Sequence, residues 1–187
     1  MQKARSEGYR SRAVYKREEI LYKYSLLKPG MTCVDLGAAP GSFSEILASR
    51  LKGRGRVIAV DVLEMNPVPG VEFIQGDFTE QTVLEQLLAA LGDGGADLVI
   101  SDMAPNMSGT KAVDQPRAMY LAELALDLAR RTLGRGGSLV CKVFQGEGID
   151  AYVADARGSF AAVKLMKPKA SRPGSSEMYL VARNYQL

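Results

Sequence analysis

The sequence predicts an α/β fold, a mostly parallel sheet with helices on both faces. Two observations predict it. Strand-like apolar runs alternate with helix-like runs through most of the chain, which is the signature of consecutive βαβ units. Near the end the alternation stops, and two strand-like runs follow one another with no helix between them, which predicts an antiparallel pair at the sheet's edge. In order, residues 12–24 read as a helix, with Val14, Ile20, Leu21 and Tyr24 apolar among charges, and Lys28-Pro29-Gly30 ends it. Residues 32–36 read as the first strand and 42–51 as the next helix. Strands at 56–61 and 71–76 lead to a helix at 79–91, where Val83, Leu84, Leu87, Leu88 and Leu91 keep helical spacing. A strand at 96–101 precedes a long helix at 114–133, with Asp114 as its N-cap, Pro116 in its first turn and Gly134 just past its end. The fifth strand is 137–144. The last two, 160–166 and 178–183, are joined by P-K-A-S-R-P-G-S-S.

With 187 residues and neither a repeat nor a linker, the chain reads as a single domain, 1–187. Apolar content of 47% suits a globular core, and no apolar run approaches the roughly 18 residues of a membrane span. The opening M-Q-K-A-R-S-E-G-Y-R has no apolar centre and does not read as a secretory signal, so a cytoplasmic protein without a membrane partner is expected. Cys33 and Cys141 lie inside strand-like runs and read as buried reduced thiols. There is no histidine, which removes Ser-His-Asp and Cys-His triads and His-ligated zinc; no metal is expected, and any general base must be Lys, Asp, Glu or Tyr.

Charge is unevenly spread. Residues 1–28 carry eight Lys/Arg against three Glu, a net of +5, and residues 164–187 carry five against Glu177, a net of +4. From an overall +3 the middle is left at −6. Basic ends around an acidic middle predict a polyanion-binding face, provided that the two ends meet in the fold. The N-terminal segment, 1–28, also interleaves Tyr9 and Tyr15 with Arg10, Arg12 and Lys16, a mixture suited to phosphate contacts and to stacking on unpaired bases. The same tyrosines would serve equally well as the inner face of a helix.

The most informative stretch is C-V-D-L-G-A-A-P-G-S-F at positions 33–43. It reads as a strand, a tight glycine turn and a helix N-terminus, which lets backbone N–H groups approach a small-molecule cofactor. Ala39 stands where a dinucleotide fingerprint needs its second glycine. The turn instead resembles the D-x-G-x-x-P-G cofactor loop of S-adenosylmethionine-dependent methyltransferases. An acid ends each of the first four strands or follows it directly: Asp35, Asp61, Asp77 and Asp102. Asp61 lies 20 residues beyond Gly41, about where a carboxylate meets ribose hydroxyls in nucleoside-binding folds. The candidate cofactor residues are therefore Asp35, Gly37, Ala38, Pro40, Gly41, Phe43, Asp61, Asp77, Phe78 and Asp102, with Asp77-Phe78 at the adenine. Phe43 suits the cofactor or ordinary core equally.

Lys142 is the most anomalous residue. It closes the apolar run G-S-L-V-C-K-V-F, where a lysine is costly unless it is paired or neutral. With Lys16 (R-S-R-A-V-Y-K), Asp102 (S-D-M-A-P-N-M-S-G) and Glu177 (S-R-P-G-S-S-E-M-Y) it forms an ordered Lys-Asp-Lys-Glu set. That set, and the ordered text around each member, resembles the FtsJ/RrmJ family of RNA ribose 2′-O-methyltransferases over nearly the whole chain. The resemblance implies a Rossmann-like fold with a seven-stranded sheet and an antiparallel last strand. It implies S-adenosyl-L-methionine as cofactor and RNA as partner, most closely the large ribosomal subunit or its 23S rRNA at an A-loop uridine. It implies that Lys142 acts as base or orients the hydroxyl oxygen, Asp102 holds Lys142, and Lys16 and Glu177 position the ribose; no apolar stripe demands a dimer, so a monomer is expected. Burial and the Lys16 ammonium favour a neutral amine at Lys142, and the two carboxylates oppose it. The sequence departs from the family's text in three ways. Arg17 follows Lys16 where Leu is expected, Ser42-Phe43 follow Gly41 where Gly-Trp is frequent, and the N-terminus is shorter than in typical members. Two other readings remain open at this point: 2′-O-methylation of another RNA (an mRNA cap or a tRNA), and a catalytically silent ribosome-binding module on the same fold.

Overall fold

The computed structural model describes residues 2–187, with side chains from Ala13 onward. Its elements are α1 (Gln2–Lys23), β1 (Thr32–Leu36), α2 (Ser42–Leu51), β2 (Arg56–Asp61), β3 (Val71–Gln75), α3 (Gln81–Leu91), β4 (Ala96–Ser101), α4 (Lys111–Thr132), β5 (Leu133–Phe144), α5 (Ile149–Arg157), β6 (Phe160–Met166) and β7 (Glu177–Tyr185). The seven strands form one sheet in the order β3-β2-β1-β4-β5-β7-β6. Neighbours from β3 to β5 are parallel, while β7 runs antiparallel to both β5 and β6. The central strands are apolar on both faces because both faces are covered. Val34, Leu36, Val99 and Leu139 pack beneath α3, α4 and α5. Cys33, Leu98, Ile100 and Val140 pack beneath α1 and α2. Both cysteine thiols are buried and unbonded to each other.

Several expectations shift. Helix α5 was not anticipated, although Ile149, Tyr152, Val153 and Ala156 hold the i, i+3, i+4, i+7 spacing that buries it. Helix α4 starts earlier than expected, with Thr110 as N-cap, so Pro116 stands inside the helix rather than in its first turn. Asp114 is not the cap. It reaches back to accept from the Ser108 and Gly109 amides at 2.9 and 3.0 Å, tying the preceding loop to the helix. Those bonds, the Ser108 amide first, hold its carboxyl below the usual range.

The strand order reverses at β1. The chain steps outward through β2 and β3, then returns to place β4 on the other side of β1. In open α/β sheets the crevice at such a reversal, beyond the carboxyl ends of the strands, is where ligands bind. The two basic chain ends meet on the face of the sheet that α1 covers. The Arg183 guanidinium lies 5.1 Å from the centre of the Tyr24 ring, and the Lys169 amide donates to Glu19 at 2.8 Å. Tyr9, Arg10 and Arg12 lie outside the described side chains; Tyr15 is largely exposed.

Candidate active site

Strand register brings the charged residues together. In the antiparallel β5–β7 pair, Lys142 faces Tyr179 and Phe144 faces Glu177. Period-two alternation then puts Lys142, Tyr179 and Glu177 on the same face of the sheet. Asp102 follows the last residue of β4, whose Ser101 pairs with Cys141, so it stands next to Lys142. Helix α1 closes the site. Its Ile20 and Leu21 share a core with Phe43, Leu47, Leu51 and Tyr179, which lays Lys16 and Arg17 over the same face.

Distances confirm that the set converges. Lys142 Nζ lies 3.0 Å from Asp102 Oδ1 and 3.8 Å from Glu177 Oε2. Lys16 Nζ donates to Glu177 Oε1 at 3.3 Å. Two partners were not anticipated from the sequence. Tyr179 donates its hydroxyl to Asp102 Oδ1 at 2.7 Å, and Arg17 Nη2 donates to Asp102 Oδ2 at 2.9 Å. Lys142, Asp102 and Arg17 are all largely buried, and together with Arg172 and Ser175 these residues line a cleft of about 250 Å³. Burial works to raise the Asp102 carboxyl, but the Lys142 and Arg17 charges and the Tyr179 hydroxyl outweigh it and hold it below the usual range. Burial, with the adjacent Asp102 charge, pushes the Tyr179 phenol well above its ordinary value, so it stays a donor. Three cations thus share two carboxylates around one small open space.

A second cleft of about 250 Å³ lies beyond β1, β2 and β3, lined by Gly37, Asp61, Asp77, Phe78 and Met103 among others. Met103 borders this cleft and Asp102 the first, so the two meet at the end of β4. Gly37 has a left-handed φ of 65°, and a Cβ there would collide with the Met103 side chain. Asp61 accepts from the Ala39 amide at 2.8 Å and the Leu63 amide at 2.9 Å. Asp77 accepts from the Thr79 amide and hydroxyl through Oδ1 alone. Carboxylate oxygens beside the apolar surfaces of Phe78 and Met103 fit a nucleoside, with diol hydroxyls at Asp61 and the base between the apolar side chains.

The remaining cofactor candidates lie elsewhere. Backbone amides of the turn do not face the cleft: Gly37 and Ala38 donate to Val60, Ala39 to Asp61, and Gly41 to Ala38. Ala38 and Gly41 are buried in the turn, and Pro40 faces the α1 side. Phe43 is core, 3% exposed, with the Arg17 guanidinium 5.1 Å from its ring centre. Asp35 is 1% exposed; alternation along β1 turns it toward α2, where Ser44 Oγ donates to it at 2.7 Å. These two side chains do not line the cleft.

Burial, outweighing the Ser44 bond, pushes the Asp35 carboxyl up to about 7. An unfolded aspartate titrates near ~4, so between about pH 4 and 7 the folded chain holds a proton that the unfolded chain has lost. The stability linked to Asp35 is therefore full below pH 4 and disappears as pH rises through 7. Asp35→Asn is expected to raise the melting temperature more at pH 8 than at pH 5; an equal shift at both would refute the buried-acid assignment.

Comparison with known proteins shows the family to which the chain belongs. The family model described as FtsJ-like methyltransferase matches residues 9–185. A protein of Pseudomonas fluorescens named "Ribosomal RNA large subunit methyltransferase E" is 56% identical over 186 residues, covering 100% of this chain and 89% of its own. The protein of that name from Chromohalobacter salexigens is 59% identical, covering 99% and 88%. Among solved structures, a ribosomal RNA methyltransferase from Plasmodium falciparum superposes with a TM-score of 0.83 at 30% identity, covering 95% of this chain and 98% of that one. Human methyltransferase-like protein 13, solved in complex with SAH, shares the fold at a TM-score of 0.63 and 13% identity, covering 91% and 82%.

Proposed function

The chain belongs to the FtsJ-like methyltransferase family, and we propose that it transfers the methyl group of S-adenosylmethionine to a ribose 2′-hydroxyl of large-subunit ribosomal RNA, at a uridine of the 23S A-loop. The observation that carries this reading is the convergence of Lys16, Asp102, Lys142 and Glu177 on one cleft, beside a second cleft lined by Gly37, Asp61, Asp77, Phe78 and Met103. The names of the relatives supply the ribosomal RNA substrate.

When bound, S-adenosylmethionine supplies a methyl carbon made electrophilic by its sulfonium. Asp61 would hold its ribose hydroxyls, Asp77 and Phe78 its adenine, and Gly37 and Met103 the wall nearest Asp102. Among this chain's own groups, Lys142 orients the attacking 2′-oxygen and, in its neutral amine form, takes the hydroxyl proton. Asp102 fixes the Lys142 amine in direction, with its second oxygen secured from the α1 side. Glu177 bridges Lys142 and Lys16 and accepts from the ribose, and Lys16 brings a positive charge to the adjoining phosphate. Aligning the attacking oxygen with the methyl and its leaving group supplies much of the rate in such displacements. Asp61→Ala is expected to weaken cofactor binding about 10–100-fold by calorimetry, the value of one or two hydrogen bonds to a charged group. Unchanged affinity would move the ribose site elsewhere.

The N-terminal segment 1–28, packed on the domain, is proposed as the RNA-docking element, with the basic residues of the C-terminal end beside it. RNA affinity should then fall linearly on a log–log plot against salt, by about 0.7–0.9 for each phosphate neutralised; a flat response would exclude this face. The reading further takes the protein as a cytoplasmic monomer that needs no metal. Among the described residues, no helix is long and apolar enough to cross a membrane. Transfer of tritium from labelled cofactor to ribosomal subunits, free rRNA and tRNA tests the whole. Label in large subunits or their rRNA supports it, label in tRNA alone selects the other RNA class, and no label anywhere leaves a silent binding module.

A further inference from the structure

Arg17 ties the cleft to the first residue of α2. Its Nη2 donates to Asp102 Oδ2 at 2.9 Å, and its Nη1 donates to Ser42 Oγ at 2.8 Å. Its guanidinium also covers the ring of Phe43. Ser42 opens α2 directly after the glycine turn, and Asp102 stands where the two clefts meet. Arg17 is also the residue after Lys16. A single side chain therefore fixes the helix that carries Lys16, the first turn after the cofactor loop and the carboxylate that holds Lys142. The positions at which the sequence departs from its family's text inside the motifs, 17 and 42–43, are the two ends of this one contact.

We propose that Arg17, Ser42 and Phe43 form a positioning unit for methyl transfer, in which Arg17 sets the orientation of Asp102 from the α1 side and locks Lys16 over the cleft. The inference rests on the methyl-transfer reading above. Asp102 has one oxygen engaged by Lys142 and Tyr179 and, among the described residues, the other by Arg17 alone. Without Arg17 the carboxylate is held through Oδ1 only, so its plane can rotate and Lys142 can shift with it. A guanidinium can make both bonds at once because its nitrogens are set in a rigid fork; a lysine ammonium at this position can make only one of them well. Ser42 acts on the reaction only through Arg17, so their effects should not be independent.

The test compares wild type with Arg17→Leu, Arg17→Lys, Ser42→Gly and the Arg17→Leu/Ser42→Gly double variant. Single-turnover transfer is measured with labelled cofactor and large-subunit rRNA both saturating, alongside melting temperature and the affinity for S-adenosylhomocysteine. Arg17→Leu should slow transfer by about 10–100-fold, the cost of a small misplacement of reacting groups. Arg17→Lys should recover part of that loss, Ser42→Gly should lose less, and the double variant should be no slower than Arg17→Leu alone. Affinity for S-adenosylhomocysteine should hold throughout. Transfer by Arg17→Leu at the wild-type rate, or losses that multiply in the double variant, would overturn the proposal. So would a fall in melting temperature with the saturated rate unchanged, which marks a merely structural contact. Should Arg17→Leu fail to fold, the partial loss expected of Arg17→Lys and Ser42→Gly decides the matter. An inactive wild type would instead count against the methyl-transfer reading itself.

Discussion

Replacing Lys142 by alanine is expected to reduce single-turnover methyl transfer by about 10³-fold, within the range that general-base removal typically costs, while cofactor binding survives. The separation follows from where the residue sits. Lys142 lines the cleft shared with Asp102 and Glu177 and does not line the cleft shared by Gly37, Asp61, Asp77 and Phe78. Its loss leaves Asp102 with Tyr179 and Arg17 as partners, so the fold keeps a satisfied carboxylate. Lys142→Arg separates the two roles open to the residue. An arginine keeps charge and donors but cannot give up its proton at accessible pH, so it should be as inactive as alanine if Lys142 serves as base. Glu177→Ala should be far milder, since that carboxylate lies 3.8 Å from Lys142 and is the more exposed of the two acids in the cleft. A Lys142→Ala variant that turns over near the wild-type rate would remove Lys142 from the chemistry.

Asp102→Asn carries the second largest effect, and it should act on both stability and rate. Asp102 is the anionic partner of two largely buried cations, Lys142 and Arg17. An asparagine of the same shape leaves Arg17 without its acid partner and Lys142 with Glu177 alone at 3.8 Å, and breaking a buried pair in this way costs roughly 3 kcal/mol or more. Transfer should also fall steeply, though less than in Lys142→Ala, because the amine then loses the group that aims it. The pH dependence has a definite sign. The folded Asp102 carboxyl titrates below its unfolded value, so its stabilising contribution is present above about pH 4 and disappears as pH falls through the lower, folded value. Wild type should therefore lose stability in acid more steeply than Asp102→Asn. Parallel acid-unfolding curves would show that the ion cluster contributes nothing.

Much of this site was legible in the sequence because its members break local rules. A lysine in an apolar strand and an acid at the end of each parallel strand both ask for a partner, and Lys142, Asp102, Asp61 and Asp77 all lie in a cleft. Asp35 carries the same local signature but belongs inside. It alternates with Val34 and Leu36 and so shares the face of Cys33, which α2 covers; a strand-end pattern alone does not say which face is sealed. The pocket-facing role of Tyr179 was hidden because an aromatic in a strand reads as core. Arg17 was hidden because an arginine in a charged helix reads as surface, and only its departure from the family's text marked it. Strand order could not be read at all, since periodicity reports which faces are buried and not which strands are neighbours. Helix α5, nine residues between two glycines, has the right spacing but too short a span to stand out beside α4.

The most direct measurement digests RNA to nucleosides after large ribosomal subunits or their rRNA have been incubated with the protein and tritiated cofactor. The account predicts that all label elutes with 2′-O-methyluridine for wild type and that Lys142→Ala accumulates it about 10³-fold more slowly. Label on a nucleobase, or label on the ribose that accumulates near the wild-type rate without Lys142, would contradict it.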